Sequence, residues 1–272
     1  MRFRAVAAAL ILAASIPGLA PAAGLPITAP VSTKGLASHH ALYTLTLDKA
    51  PGGDVVAAHG TMGYEVMDAC DGWATRQRLN IIVTNADGQD IRMVSDYATW
   101  ESIDGLKFRF HMKQTTEGAV TSQTDGYASL DRRGGPGVVH YTLPKPKVVK
   151  LPPGTLFPMT HTATLLAGAR EGKRFMALPL FDGTDDNGAE DSSVVVVDVR
   201  KPFQTRWPAL SVMPSARVRL AFFDRKPDTM LPNYEVGMRY WENGVADDMQ
   251  MDFGDFVMDG KMTEFRLLPH KC

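Results

Sequence analysis

The sequence predicts an all-β protein in which roughly thirteen strands form an antiparallel meander. Apolar and polar residues alternate in several runs, a period of two that is typical of strands with one buried face. Asn-Gly and Asp-Gly pairs separate many of these runs, and both pairs favour the tight turns of β-hairpins. One segment has helical spacing instead, so we expect a single helix to pack into a strongly curved sheet.

The clearest alternation lies between residues 106 and 113. The apolar positions are Leu106, Phe108, Phe110 and Met112, and the positions between them are Lys107, Arg109, His111 and Lys113. The pattern predicts a strand with one buried face and a basic stripe on the other face. This stripe could meet a lipid phosphate or an acidic partner, and a solvated strand face is the simpler interpretation.

Four dipeptides are expected to form hairpin turns because they accept the positive φ of such turns. They are Asp87-Gly88, Asp104-Gly105, Asn243-Gly244 and Asp259-Gly260. Between Phe253 and Phe256 the apolar residues change from odd to even positions, which predicts a β-bulge at Gly254-Asp255. With this bulge, both rings lie on the same side of the sheet.

The helical segment follows a proline-rich stretch. Residues 144–158 predict an extended crossover, and Pro158 suits the first turn of a helix. Apolar residues recur at helical spacing between 162 and 169, and Gly172 stands where a C-terminal cap belongs. We therefore expect one substantial helix, within Met159 to Arg170.

The N-terminus has the layout of a cleaved signal peptide. Arg2 and Arg4 precede an apolar run from Ala5 to Ile16, and the small residues Ala20-Pro21-Ala22 follow. The apolar run is shorter than the ~20 residues that a membrane-spanning helix needs. We expect residues 1–22 to be removed and the mature protein to reside in the periplasm, without spanning a membrane.

The composition of the mature chain is that of a globular protein. Without the two arginines of the signal peptide, it has 27 basic and 30 acidic residues, a formal net charge of −3. This balance argues against nucleic-acid binding. Residues 23–38 are rich in Pro, Gly, Ser and Thr, which predicts a flexible leader before a single domain over residues 39–272.

The chain contains two cysteines, Cys70 and Cys272. An even number of cysteines in an exported chain favours a disulfide, because exported proteins meet an oxidising compartment. A catalytic thiol or a metal ligand is the alternative, and no Cys-x-x-Cys motif supports it. The predicted bridge therefore joins an early hairpin to the end of the chain.

We find no familiar catalytic or metal-binding signature. A nucleophile elbow, a zinc-protease motif and a phosphate loop are all absent from the sequence. The acidic segment 182–191 resembles a calcium loop, but its glycine spacing places Gly183 and Val194 at the terminal ligand positions. Glu101 and Glu242 would suit a glycosidase only if the fold brought them together. We expect no catalytic residue, no cofactor and no metal site.

Four stretches carry a resemblance to a known family: residues 40–72, 99–110, 151–183 and 232–272. Their most specific motifs are Leu151-Pro-Pro-Gly-Thr-Leu-Phe-Pro-Met-Thr-His161, Glu242-Asn243-Gly244-Val245 and Asp252-Phe253-Gly254-Asp255-Phe256. On these residues the chain resembles the EipB cell-envelope-integrity family. The resemblance implies a large antiparallel spiral sheet of about 13–14 strands around one central helix, closed by the Cys70–Cys272 disulfide.

The same resemblance implies a function in the periplasm. The expected protein is a non-catalytic factor that supports cell-envelope integrity by binding a lipid, another amphipathic ligand or a periplasmic protein. A tetratricopeptide-repeat protein is one expected partner. The alternative is a hydrolase or transferase that acts on cell-wall polymer or envelope lipid.

One short helix covers only part of a sheet of this size, so we expect an apolar groove beside the helix. Large exposed apolar surfaces on soluble proteins usually mark interaction sites. The expected lining residues all lie at apolar positions of their strands: Phe108, Phe110, Met238, Tyr240, Met251 and Phe253. The alternative is that these side chains fill a closed core.

Overall fold

A computed structural model describes residues 31–225, 231–269 and 272. The predicted signal peptide and the leader up to residue 30 lie outside the described residues. The described chain forms one antiparallel sheet of fourteen strands, one helix of 13 residues and one of 4 residues. The predicted fold class is therefore confirmed. Within these ranges, no helix is long and apolar enough to cross a membrane.

The strands follow one another along the chain with short connections. They are β1 (His39–Lys49), β2 (Val55–Asp68), β3 (Gly72–Asn85), β4 (Asp90–Ser102), β5 (Lys107–Thr116), β6 (Ala119–Leu130), β7 (Gly137–Leu143), β8 (Lys147–Leu151), β9 (Phe175–Leu180), β10 (Glu190–Arg200), β11 (Ser215–Phe223), β12 (Tyr234–Trp241), β13 (Ala246–Asp252) and β14 (Val257–Leu267). The helices are α1 (Pro158–Arg170) and α2 (Pro208–Ser211), and a short 3-10 helix spans Thr33–Gly35. The expected crossover over residues 144–158 contains β8, so part of it is a strand.

The sheet has the order β8-β7-β6-β5-β4-β3-β2-β1-β14-β13-β12-β11-β10-β9. Its edge strands are therefore β8 and β9, which lie next to one another in sequence order. The chain after β8 brings the two edges together, because Leu156 N donates to Pro179 O at 2.8 Å and Phe181 N donates to Leu156 O at 3.0 Å. The sheet thus curls on itself without a continuous ladder between β8 and β9.

The inner face of the curl holds the main core clusters. The larger cluster joins β1, β2, β3 and β9 to β14 with one side of α1, and Leu165 at its centre is fully buried. The second cluster is aromatic and lies against β5 to β8, where Phe108 of β5 packs against Phe157, just before α1, and Phe181, just after β9. The buried positions of β5 agree with its predicted alternation.

Helix α1 begins and ends close to the predicted residues. Pro158 occupies its first turn, where a missing N–H costs no helical hydrogen bond. Gly172 follows the helix with a φ of +79°, and Lys173 N donates to Gly168 O. This is the C-terminal arrangement that glycine favours.

The turn predictions are only partly correct. Turns lie at Gly88, Gly105 and Gly244, all with positive φ. Asp259-Gly260, in contrast, lies inside β14, where Gly260 faces Met249 and Leu45 so closely that a side chain would crowd them. The predicted turn is wrong because glycine serves there for close packing.

The predicted bulge at Gly254-Asp255 is also wrong. These residues form the hairpin turn between β13 and β14, in which Phe253 N donates to Phe256 O at 3.0 Å. The two rings nevertheless stack with centroids 5.1 Å apart, so they lie on the same side as expected.

Both ends of the described chain are tied to the sheet. Thr33 is buried and accepts a hydrogen bond from Trp73 Nε1 at 3.0 Å, so the described end of the predicted leader is packed. The predicted disulfide is present: Cys70, in the turn after β2, is bonded to Cys272 across 202 positions of sequence.

Candidate functional site

Helix α1 is held at its N-terminus by a buried carboxylate on β4. Glu101 Oε2 accepts a hydrogen bond from Met159 N at 2.7 Å, and Oε1 accepts from Thr160 N at 2.9 Å and Thr160 Oγ1 at 2.5 Å. Burial raises the pKa of Glu101 to about 7, although the hydrogen bonds from Thr160 and Met159 act in the opposite direction. Glu101 therefore positions the helix and also titrates near neutral pH.

A second polar contact holds α1 against β9 and β10. His161 Nε2 lies 2.7 Å from Ser192 Oγ, and Ser192 Oγ donates to Leu178 O at 2.6 Å. Burial lowers the pKa of His161 to about 4, so the ring is neutral and its Nε2–H donates to Ser192. This direction is the reverse of the one in which an imidazole accepts a proton from a serine nucleophile.

The inner face of β3 and β4 remains partly accessible to solvent beyond the helix. Five inward side chains on these strands are half-buried, and two of them, Leu79 and Tyr97, pair with the buried Met62 and Met112. We call this surface the β3–β4 wall, and its members are Gln77, Leu79, Met93, Ser95 and Tyr97.

Aromatic rings line the inner face on the other side of the core. Phe222 on β11 stacks on Tyr234 on β12 with centroids 6.1 Å apart, and Tyr234 lies 5.6 Å from Phe253. Phe256 continues this aromatic ladder and is buried, whereas the first three rings are half-buried. The ladder and the wall residues Leu79 and Met93 pack against the larger core cluster, and we use the name inner groove for the ladder and the β3–β4 wall together.

The structure distributes the six predicted groove residues over two core clusters. Phe108 and Phe110 are 1% and 3% exposed in the aromatic cluster beside α1, and Met238 and Met251 are buried in the larger cluster. Tyr240 and Phe253 keep part of their surface exposed, and Phe253 belongs to the aromatic ladder. A ligand site at these residues stays a prediction.

The acidic segment between β9 and β10 lies against the inner face of β4 and β6. Tyr97 Oη donates to Asp182 O at 2.6 Å, and Thr124 Oγ1 donates to Gly183 O at 2.5 Å. Burial, together with the nearby Asp185, raises the pKa of Asp182. Burial and the Asp182 carboxyl raise the pKa of Glu190 to about 9. Among the described residues, no group of three or more His, Cys, Asp or Glu side chains is arranged to hold a metal ion.

The basic stripe of β5 is exposed on the outer face, as its alternation predicts. Arg109 lies over the ring of Trp100 at 5.6 Å, and His111 Nδ1 lies 3.1 Å from Asp125 Oδ2.

The two carboxylates considered for a glycosidase site, Glu101 and Glu242, have different surroundings. Glu101 is buried beneath α1, whereas Glu242 is exposed in the turn after β12.

Three surface cavities of about 510, 120 and 650 Å³ are lined by none of the six residues predicted to form the apolar groove. The first lies on the outer face of β1 and β14, the second at the acidic segment, and the third beside β7 and β8. Thr44 and Lys261 line the first cavity. Asp185 and Glu190 line the second, and Pro136 and Lys150 line the third.

Sequence reasoning missed the residues that hold the helix. Pro158 at the helix start was a signal that the next N–H groups need an acceptor, but nothing local identifies Glu101 as that acceptor. The contact between His161 and Ser192 and the order of the aromatic ladder depend in the same way on strand neighbours distant in sequence.

Comparisons with known proteins agree on one family. The EipB-like family model matches residues 30–269. The cell envelope integrity protein EipB of Brucella abortus (strain 2308) is 31% identical over 280 residues, which cover 97% of this chain and 95% of that protein.

A solved structure shows a similar fold. The crystal structure of a beta-barrel-like protein of the domain of unknown function DUF1849, from Brucella abortus, superposes with a TM-score of 0.78 at 29% sequence identity. The match covers 86% of this chain and 99% of that chain.

Proposed function

The chain belongs to the EipB-like family, and on this premise we propose that it is a non-catalytic envelope factor that binds an amphipathic ligand in its inner groove. The relative from Brucella abortus is named a cell envelope integrity protein, which supports a role in the envelope. The observation that carries the ligand proposal is the half-buried aromatic ladder, because exposed apolar surface on a soluble protein usually marks an interaction site.

The anchoring of α1 supports a groove that stays open. Glu101 fixes the first turn of the helix, and His161 fixes the same turn to Ser192. Leu165, one turn later, is fully buried in the larger cluster. A helix held at these points does not slide over the aromatic ladder, so the ladder remains available to a ligand.

Titration with a fluorescent acyl-chain probe tests this function. We expect saturable binding by the mature chain and at least about tenfold weaker binding by Phe253→Ser, because the substitution removes an apolar ring from the groove. Phe175→Ser is the matched control, since Phe175 is 63% exposed on the outer face of β9. Absence of saturable binding by the wild type, or equal loss in both variants, would overturn the ligand proposal.

The proposed location is the periplasm, with residues 1–22 removed during export and residues 39–272 forming a single domain. The layout of the first 22 residues and the envelope role of the relative support the location, and the continuous sheet supports the single domain. N-terminal sequencing of protein isolated from the periplasm should begin at Ala23. An intact N-terminus, or recovery in the cytoplasmic fraction, would contradict export.

A periplasmic protein partner is the second candidate function. Phe175, Val195 and Val197 are exposed side chains near the sheet edge at β9, and Phe175 pairs directly with Val195. Such an exposed apolar surface supports docking of a protein, for which a tetratricopeptide-repeat protein is our candidate. Phe175→Ser should weaken capture of a purified candidate partner, whereas Phe253→Ser should leave that capture unchanged.

A hydrolase or transferase acting on cell-wall polymer or envelope lipid is the competing proposal. The contact between His161 and Ser192 does not favour it, because the hydroxyl donates to Leu178 O and both side chains are buried. If wild type hydrolyses envelope lipid or cell-wall polymer and Ser192→Ala does not, the result would favour the enzyme instead.

A further inference from the structure

The strand ends form two further edges of the sheet, and the seven connections at one of them are strongly acidic. They join β1 to β2, β3 to β4, β5 to β6, β7 to β8, β9 to β10, β11 to β12 and β13 to β14, and antiparallel pairing places them on one edge, which we call the acidic rim. With residues 226–230 left out, these connections and the terminal residue of each adjoining strand carry 11 acidic and 4 basic residues. The acidic residues are Asp54, Asp87, Asp90, Glu117, Asp182, Asp185, Asp186, Glu190, Asp224, Asp252 and Asp255, and the basic residues are Lys49, Lys145, Lys147 and Arg225.

The opposite edge is nearly balanced in charge. Its five strand-to-strand connections and adjoining strand ends carry 5 acidic and 6 basic residues. The acidic ones are Asp68, Asp71, Asp104, Asp131 and Glu242, and the basic ones are Lys107, Arg132, Arg133, Arg200, Lys201 and Arg206. Acidic residues are therefore more concentrated at the rim next to the aromatic ladder than at the opposite edge.

The acidic rim lies beside both walls of the inner groove. Burial has the largest effect on Tyr234 in the aromatic ladder and raises its pKa, and the nearby Asp252 raises this pKa further. Burial and then Asp182 raise the pKa of Tyr97 on the β3–β4 wall. Among the described residues, Asp186 of the rim pairs with Lys147, and Asp191, next to the rim residue Glu190, pairs with Arg225.

Crowding of like charge is greatest at the acidic segment. Asp182, Asp185, Asp191 and Asp224 all act on Glu190, in addition to its burial. Glu190, with a pKa of about 9, is protonated at neutral pH, so a cation at this position would favour ionisation of the crowded carboxyls, whereas an anionic head group would oppose it.

We propose that the occupant of the inner groove is a cationic amphiphile, with its apolar chain between the aromatic ladder and the β3–β4 wall and its ammonium group at the acidic rim. This inference rests on the proposed function and specifies the ligand class. The apolar walls provide affinity for the chain, and the carboxylates of the rim select the charge of the head group.

Competition between amphiphiles of equal chain length tests the charge preference. The mature chain is loaded with the neutral probe N-phenyl-1-naphthylamine, which is then displaced by dodecylammonium or dodecanoate below their micellar concentrations. We expect dodecylammonium to displace the probe at about tenfold lower concentration in dilute buffer, and the ratio to fall below about threefold in 0.5 M salt because salt screens exposed charges.

A pair of rim substitutions locates the charge effect. Asp252→Asn with Asp255→Asn should reduce the preference for dodecylammonium by at least about threefold and leave displacement by neutral dodecanol unchanged. Asparagine can still accept the hydrogen bond from Gly254 N that Asp252 accepts at 2.9 Å. Asp131→Asn with Glu242→Gln makes the same change of charge at the opposite edge and should leave the preference intact.

Each outcome has a distinct meaning. Equal or preferred displacement by dodecanoate overturns the cationic assignment while the proposed function stands. Displacement by a basic amphipathic peptide but not by dodecylammonium overturns the assignment to an amphiphile. No binding of the probe overturns the proposed function itself, and the inference with it.

Discussion

Replacing Glu101 by glutamine should change the stability of the protein in opposite directions at low and at high pH. The Glu101 carboxyl is 1% exposed and receives hydrogen bonds from the first turn of α1. Glutamine has nearly the same shape and cannot ionise, so it separates the effect of the charge from the effect of the packing. It also presents an NH₂ group where the carboxylate has an acceptor, which removes one hydrogen bond to the helix.

The pKa of Glu101 rises from 4.5 in the unfolded chain to about 7 in the folded protein. The folded state therefore binds the proton more tightly, and this contribution to stability is fully present below pH 4.5 and is lost as the pH rises through 7. The difference corresponds to about 3 kcal/mol in the free energy of unfolding. Loss of one hydrogen bond in the glutamine variant costs about 1–2 kcal/mol at either pH.

Urea unfolding of the oxidised protein at pH 5 and pH 8 measures this effect. Glu101→Gln should be less stable than wild type by up to about 1 kcal/mol at pH 5 and more stable by about 1–2 kcal/mol at pH 8. The exposed Glu242→Gln is the control and should show no such change with pH. A difference between Glu101→Gln and wild type that is the same at both values of pH would refute the assignment of a buried, titrating Glu101.

Three further predictions test other parts of the fold. Cys70→Ser and Cys272→Ser should each lower the unfolding free energy by about 4 kcal/mol, the double variant should be no worse than either, and thiol titration of unreduced wild type should find no free thiol. Ser192→Ala should cost about 1–3 kcal/mol in urea unfolding, because His161 Nε2 loses its buried partner, and no cost would contradict that contact. Gly260→Ala should lower the thermal midpoint, because the added methyl would lie 3.1 and 3.3 Å from two inward side chains, and an unchanged midpoint would show that the sheet relaxes there.

The strands and the helix could be predicted because their signals are local. The alternation along residues 106–113 specifies which side of β5 is inward without knowledge of its neighbours. Pro158 and Gly172 likewise mark the ends of α1 through backbone preferences of single residues. These features need no information from distant parts of the chain.

The errors and omissions arise where distant segments decide the structure. Asp259-Gly260 has the composition of a turn, but register with β1 and β13 places it within a strand. Glu101 accepts a hydrogen bond from the N–H group of Met159, which lies 58 residues later in the sequence. The aromatic ladder requires the pairing of four consecutive strands, which the alternation within one strand does not specify.

Mapping the position of a bound acyl chain tests the central claim most directly. A dodecylammonium derivative with a photoreactive group at the end of its chain can be crosslinked to the mature protein, and the modified peptides can be identified by mass spectrometry. A ligand in the inner groove predicts adducts on Leu79, Met93 or Phe253, and competition by unmodified dodecylammonium should remove them. Adducts confined to the outer face, at Trp100 or Phe175, would contradict binding in the inner groove.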